Sequence, residues 1–407
     1  MTRRRLSGNP QNDEPDPAGS RRAFGMVSLA VFLASSTWFS GTAAVPALTR
    51  LWNLSEVRAS WLTIAVQLGF IAGTFLYALL NVADLFPARR VFAVSAAAGA
   101  AFNAAFALAS GGLGTALLFR LLTGLSLAGV YPVGMKIIAQ WFRRDLGWRL
   151  GVMVGALTLG TAAPYLVYAL GADLEWRISS LAATGLALLG GGLIAWGVED
   201  GPYLREPARF DVRAGLRVFG IRPFRLQALG YFGHMWELYA FWSLDGPFLA
   251  ASLRHTAPGL LGRVPLASFL IIGIGAAGCA AGGWISKSVG ERNVAVAALA
   301  VSAACAASSG LFFVLPPAVL LPFVLVWGIA VVADSPQFSA IAARSAPPAY
   351  TGTALTVQNG IGFLVTVVSI QAVSALAQQS GWRWALTSLA AGPILGLLAM
   401  LRLKAFD

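Results

Sequence analysis

The chain has 407 residues, of which 57% are hydrophobic and only 11% charged, with a mean hydropathy of +0.71. Soluble domains carry about 25% charged residues, so the composition excludes an ordinary water-soluble enzyme and indicates a chain that crosses a membrane many times. The net charge of +12 invites a nucleic-acid partner, but no soluble basic module exists to bind one, and the basic residues are sorted by side of the membrane.

Residues 1–22 are polar, charged and Pro-containing, and read as a disordered cytosolic tail. The apolar run that follows is too long and starts too late for a signal peptide. A hydrocarbon core about 30 Å thick needs about 20 apolar residues per helix. Twelve segments meet that need: 25–48, 60–82, 91–110, 114–140, 150–170, 177–197, 226–251, 264–285, 293–314, 317–342, 352–377 and 382–402. The predicted fold is therefore an all-α integral membrane protein. An even number of spans puts both termini on one side, and 21 of the 29 Lys and Arg fall there, with six opposite and Arg120 and Lys136 inside a span. Basic loops stay in the cytosol, which predicts a multi-pass protein of the inner (cytoplasmic) membrane with both termini cytosolic.

The longest interior loop, 198–225, separates a bundle at 23–197 from a second at 226–407. Within it Arg209, Arg213 and Arg217 recur every four residues beside Phe210, Leu216 and Phe219, the pattern of an amphipathic helix lying on anionic headgroups. The halves look duplicated. Trp38/Trp242, Gly124/Gly328 and Pro132/Pro336 are each 204 apart, Gly155/Gly360 are 205 apart, and Trp176-Arg177 and Trp382-Arg383 are 206 apart. Chance matches would scatter. Cys279 and Cys305 lie in small-residue spans and only two histidines exist, so neither a metal site nor a cofactor is expected.

Arg120 begins the fourth span, whose middle is softened by Gly124, Gly129, Pro132 and Gly134. A cation near the bilayer centre costs roughly 2.5–3.5 kcal/mol and normally faces a bundle interior. Tyr131 lies eleven residues on and points the same way in an unkinked helix. In the seventh span His234, Glu237, Phe241 and Asp245 fall within an arc of roughly 80°, a stripe that should turn from lipid. In the tenth, Asp334 and Gln337 share a face at i, i+3. The expectation is a guanidinium from one half confronting acids from the other, with Arg120, Tyr131, Trp38, Trp242 and Gln337 binding substrate and Glu237, Asp334, His234 and Asp245 handling protons. Structural alternatives apply to each: Arg120 as a fixed lock, Asp334 as a helix cap beside Ser335-Pro336, His234 and the tryptophans as packing.

At these motifs the sequence resembles the major facilitator superfamily, over residues 25–402. Arg120-Leu-Leu-Thr-Gly124 looks like its fourth-helix Arg-x-x-x-Gly motif, and Gly151, Gly155, Gly160 and Pro164 resemble its fifth-helix antiporter motif, with the proline one place early. The loop with Asp84, Arg89 and Arg90 keeps part of the family's gating motif. The second-half copy, Gly283 to Arg292, has the glycines but Lys287 where Asp would sit. Tyr131-Pro132 through Trp141 and Ala333 through Gln337 look most similar to the nitrate/nitrite- and cyanate-permease-like branch. The resemblance implies two six-helix bundles that expose a central cavity alternately to each side, with Asp84, Arg89, Arg90, Lys287 and Arg292 latching the cytosolic face. The implied function is transport, not catalysis: a monomeric, proton-coupled carrier of a small solute, anionic or polar in view of Arg120. The alternatives are a proton/drug antiporter exporting hydrophobic compounds and a transporter-like sensor.

Overall fold

The computed structural model describes residues 16–142, 146–170, 175–203, 211–347 and 350–403. The tail residues 1–15, Arg143, Arg144, Arg205 and Arg209 lie outside these, as does the side chain of Asp84.

Twelve helical spans run through the molecule, and among the described residues nine of them are long and apolar enough to cross a membrane unaided. The three that fall short are the first, seventh and twelfth. The first is broken into Ser20–Ser35, Ser40–Ala43 and Val45–Trp52. Its break follows from a hydroxyl run: Ser36 Oγ donates to the Leu33 carbonyl at 2.7 Å, Thr37 Oγ1 to Ala34 at 3.0 Å and Ser40 Oγ to Thr37 at 3.1 Å. Such local bonds offer the backbone an alternative to the helical ladder. The seventh, Arg222–Thr256, carries the acids and histidine already noted. The twelfth is short, Ala391–Leu401, and opens with a 3-10 turn at Leu386–Ala390.

The fourth span divides into Leu113–Leu127 and Tyr131–Trp141, and the tenth into Pro317–Ala333 and Ser335–Ser345. Pro132 and Pro336 cause both breaks, since proline removes a donor and crowds the carbonyl four residues back. In the tenth span that carbonyl, Val332, accepts the Cys279 thiol at 3.4 Å.

The duplication is visible in the packing. The first span packs on the sixth as the seventh does on the twelfth, and the second on the fourth as the eighth does on the tenth. The matched glycines explain the second pair of contacts. A methyl at Gly124 would sit 1.9 Å from the Val66 carbonyl oxygen, and one at Gly328 would sit 2.2 Å from that of Ile271. Arg177 Nε donates to the Ala107 carbonyl at 3.0 Å and Arg383 Nε to that of Gly310 at 3.3 Å, each guanidinium lying over an adjacent tryptophan.

Two seams join the halves. Span five packs along span eight through small residues, with Gly155 against the Ala276 backbone and Gly151 near the Cys279 carbonyl. Span two packs along span eleven through polar rungs: Thr366 Oγ1 donates to Gln67 Oε1 at 2.7 Å, Gln371 Nε2 to Ser60 Oγ at 3.1 Å, and the Val57 amide approaches Gln378 Oε1 at 3.5 Å.

The segment expected to lie on headgroups forms the helix Val212–Val218, N-capped by Asp211 Oδ1. It docks on the second half instead of lying apart. Ala214, Gly215 and Val218 are buried, and a methyl at Gly215 would meet Thr353 and Val357 of span eleven, while Arg213 and Arg217 stay exposed.

Candidate functional site

The first span begins at Ser20 and the twelfth ends at Leu401 on one face, the terminal face, opposite the distal face. Between the halves a cavity of about 500 Å³ opens toward the distal face, lined by Arg50, Tyr165, Tyr168, Pro247, Ser268 and Trp382 among others. Next to it lies a layer of rings from both halves, which the lining residue Tyr165 touches through Phe39. Trp38, on the break of span one, stacks on Tyr239 (5.8 Å, 24°) and lies 4.8 Å from Phe70 and 5.8 Å from Phe363. Phe39 meets Tyr165, Tyr239 and Trp242 edge-on at 6.3–6.4 Å. The Trp38 and Trp242 indole N–H groups are buried without a hydrogen-bond partner among the described residues. The repeat-matched tryptophans are therefore brought together at the centre, as the offset of 204 implied.

Arg120 is fully buried in the first half. Its Nη1 donates to the Thr37 carbonyl at 2.9 Å, to Ser40 Oγ at 3.0 Å and to Asn103 Oδ1 at 3.2 Å, and its Nη2 donates to the Trp38 carbonyl. Phe106 covers one face, its ring centre 5.5 Å from Cζ. Gly41 makes room for the stem: a methyl there would lie 2.6 Å from Nε. The guanidinium thus takes up the carbonyls that the broken first span cannot satisfy internally. It does not face the second-half acids, and the expected confrontation of charges is corrected on that ground. The lone Asn103 in an Ala-rich third span was the overlooked signal, since isolated polar residues in spans are seldom idle.

Glu237 is also turned inward, within its own half. Ser302 Oγ and Trp327 Nε1 each donate to its carboxylate at 2.6 Å, and Trp327 stacks on Phe241 at 4.2 Å. Ser302 belongs to span nine, so the acid looks away from the central space. Gln337 likewise packs against Gly282 of span eight. These two side chains leave the central site because three or four helices surround each span, and one apolar-to-polar stripe can face several of them.

His234 and Asp334 do meet. Nδ1 lies 2.8 Å from Oδ1, both groups are almost wholly buried, and His234 Nε2 is 2.9 Å from Ser335 Oγ. The pair ties the seventh span to the break of the tenth, with Tyr231 and Phe338 rings 6.0 and 5.7 Å from the imidazole. Tyr131 stands at the corresponding break of the fourth span, half-buried against the central core. Asp245 lies one turn distal to Trp242, with Oδ1 accepting the Gly246 amide at 2.6 Å.

Among the expected latch residues, Lys287 Nζ reaches across the halves to within 5.8 Å of the Trp148 ring. Arg89 lies 3.9 Å from Asp200, and Arg90 is exposed. Arg292 is used differently: Nε and Nη2 donate to the Met400 and Leu401 carbonyls at 3.2 and 3.1 Å, capping the twelfth helix. Carbonyls at a helix C-terminus lack internal donors, which explains that placement.

The family model described as Major Facilitator Superfamily matches residues 27–370. The chain is similar in structure to a bacterial homolog of the human lysosomal transporter Spinster, solved inward-facing and unoccupied. The TM-score is 0.68 at 13% identity, over 95% of this chain and 98% of that one. No curated protein matches the sequence. At that identity the likeness speaks for the fold, while the family match spans most of the chain.

Proposed function

Because the chain belongs to the Major Facilitator Superfamily and is a multi-pass membrane transporter, we propose that it is a secondary active carrier of a small polar solute, coupled to protons. The terminal face is the cytosolic face of the inner membrane on the positive-inside argument, and the distal cavity is the entry from outside. The aromatic layer separates that cavity from the His234–Asp334 pair.

The observation that carries the proton reading is the buried His234–Asp334 contact at the break of the tenth span. The close approach of imidazole and carboxylate ties the seventh span to the segment Ser335–Ser345. Proton uptake at this pair is the step that loosens the tie and lets the segment pivot at Pro336. One proton moving through about 100 mV supplies about 2.3 kcal/mol, enough for a gradient of about 40-fold.

In proteoliposomes a pH gradient should drive solute accumulation by the native chain. Asp334→Asn should abolish accumulation while leaving solute exchange intact. Unchanged pH-driven accumulation in both Asp334→Asn and His234→Gln would refute the assignment. The aromatic layer favours one second reading, proton-driven export of apolar compounds. When solute is added outside vesicles with no pH gradient, symport carries protons in and alkalinises the outside, whereas antiport expels protons and acidifies it, so the sign of the pH change separates the two.

A further inference from the structure

The distal cavity carries opposite charges at its two ends. At the mouth stand Arg50 and Arg254, both exposed, against a single half-buried acid, Glu56. Just behind the lining residues Ser243, Gly246 and Ser268 stands Asp245, 1% exposed, whose Oδ2 has no hydrogen-bond partner among the described residues. Ser268, which lines the cavity, has an Oγ in the same condition. It stands beside the Asp245 carboxyl group without closing a hydrogen bond of ordinary geometry on it. No Lys or Arg lies within ion-pair distance of Asp245 among the described residues.

A buried carboxylate with an open acceptor beside an open hydroxyl is costly unless something donates to it. Rings stand nearby: Tyr165 and Tyr168 line the cavity, and Trp242 lies one turn along the helix from Asp245. Aromatic faces and a carboxylate together suit an ammonium group. A simple cation meets the arginines at the mouth, and a simple anion meets an unpaired carboxylate behind the lining. A solute with both charges, amine leading, satisfies both ends. Asp245 and Arg254 are nine residues apart on one helix, about 13 Å of rise, and the arginine stems span part of that. The two charges of the solute are therefore separated by several bonds.

We propose that Asp245 and Ser268 form a binding site for the amine of a small zwitterion whose carboxylate stays at Arg50 and Arg254. This names the substrate class for the transport reading above and rests on it. The test is ligand-induced melting and calorimetric binding on the purified full chain in detergent, with three probes of one length: ε-aminocaproate, caproate and hexylamine. The native protein should bind the zwitterion about tenfold more tightly than either singly charged probe. Asp245→Asn should erase the preference over caproate, and Arg50→Gln with Arg254→Gln the preference over hexylamine. Ser268→Ala, a gentler change, should weaken the zwitterion selectively. Caproate binding the native chain as tightly as ε-aminocaproate would overturn the proposal, and so would the absence of any shift with all three. Either failure leaves the transport reading standing if pH-driven accumulation of another solute is still observed; loss of all flux in the native chain would sink that reading instead.

Discussion

The two halves bury opposite charges in related helices, and they stabilise them by different means. In the first half Arg120 is a cation held by neutral acceptors: two backbone carbonyls, a serine and an asparagine. In the second, Glu237 is held by the donors Ser302 and Trp327, and Asp334 by His234. The difference lies in what surrounds each charge. A broken helix supplies carbonyls, so the cation went to the break of span one; span nine and the helical segment Pro317–Ala333 of span ten supply only side-chain donors, so the acid needed a tryptophan and a serine. Charge burial within each half leaves a layer of rings at the centre of the contact between the halves, with polar rungs along one edge and small residues along the other.

The largest effect that could break this comparison is Arg120→Ala. It strands two carbonyls and two side chains, each worth about 1–3 kcal/mol when left unpaired, and should lower stability by about 3–5 kcal/mol, read as melting in detergent. Arg120→Lys should restore only part, because one ammonium cannot reproduce the guanidinium fork. An Arg120→Ala chain that melts normally but fails to bind anions would return the residue to the substrate site. Gly41→Ala should follow in the same direction but by about 1–3 kcal/mol, since the added methyl crowds the Arg120 stem. Next comes Trp327→Phe, which removes one of the two donors to the buried Glu237 carboxyl group and should cost about 1–3 kcal/mol without altering the pH profile of flux. A shifted pH profile there would place Glu237 in the proton path after all. The smallest effect is Gln371→Ala at about 0.5–1.5 kcal/mol. Its sharper readout is faster labelling of a cysteine placed at Ser243 in the distal cavity.

Much of the architecture was legible in the residues. The 204-residue offset paired Gly124 with Gly328 and Trp38 with Trp242; the glycines prove to be close backbone contacts and the tryptophans are both buried. Burial of Arg120 followed from its charge alone. Its two backbone partners did not, because a carbonyl freed at a helix break has no letter in a sequence, whereas the side-chain partner Asn103 was there to be read. The acids of the seventh span were read as one stripe, and helical periodicity does place them on one side. Yet His234, Glu237 and Asp245 face spans ten, nine and eight respectively. An arc of 80° is wide enough to touch three neighbours in a tight bundle, and only the tertiary packing decides which. Arg292 went astray for a related reason: the end of the twelfth helix it caps is more than a hundred positions away.

The polar rungs between spans two and eleven have a mechanical consequence. Hydrogen bonds are directional and resist sliding, whereas the glycine contacts of spans five and eight can glide with little loss. One edge of the molecule is thus stapled and the other lubricated. Were the halves to rock, the spine would run along Gln67, Ser60 and their partners, and the gap would widen first on the far edge, like a cover lifting from a bound margin.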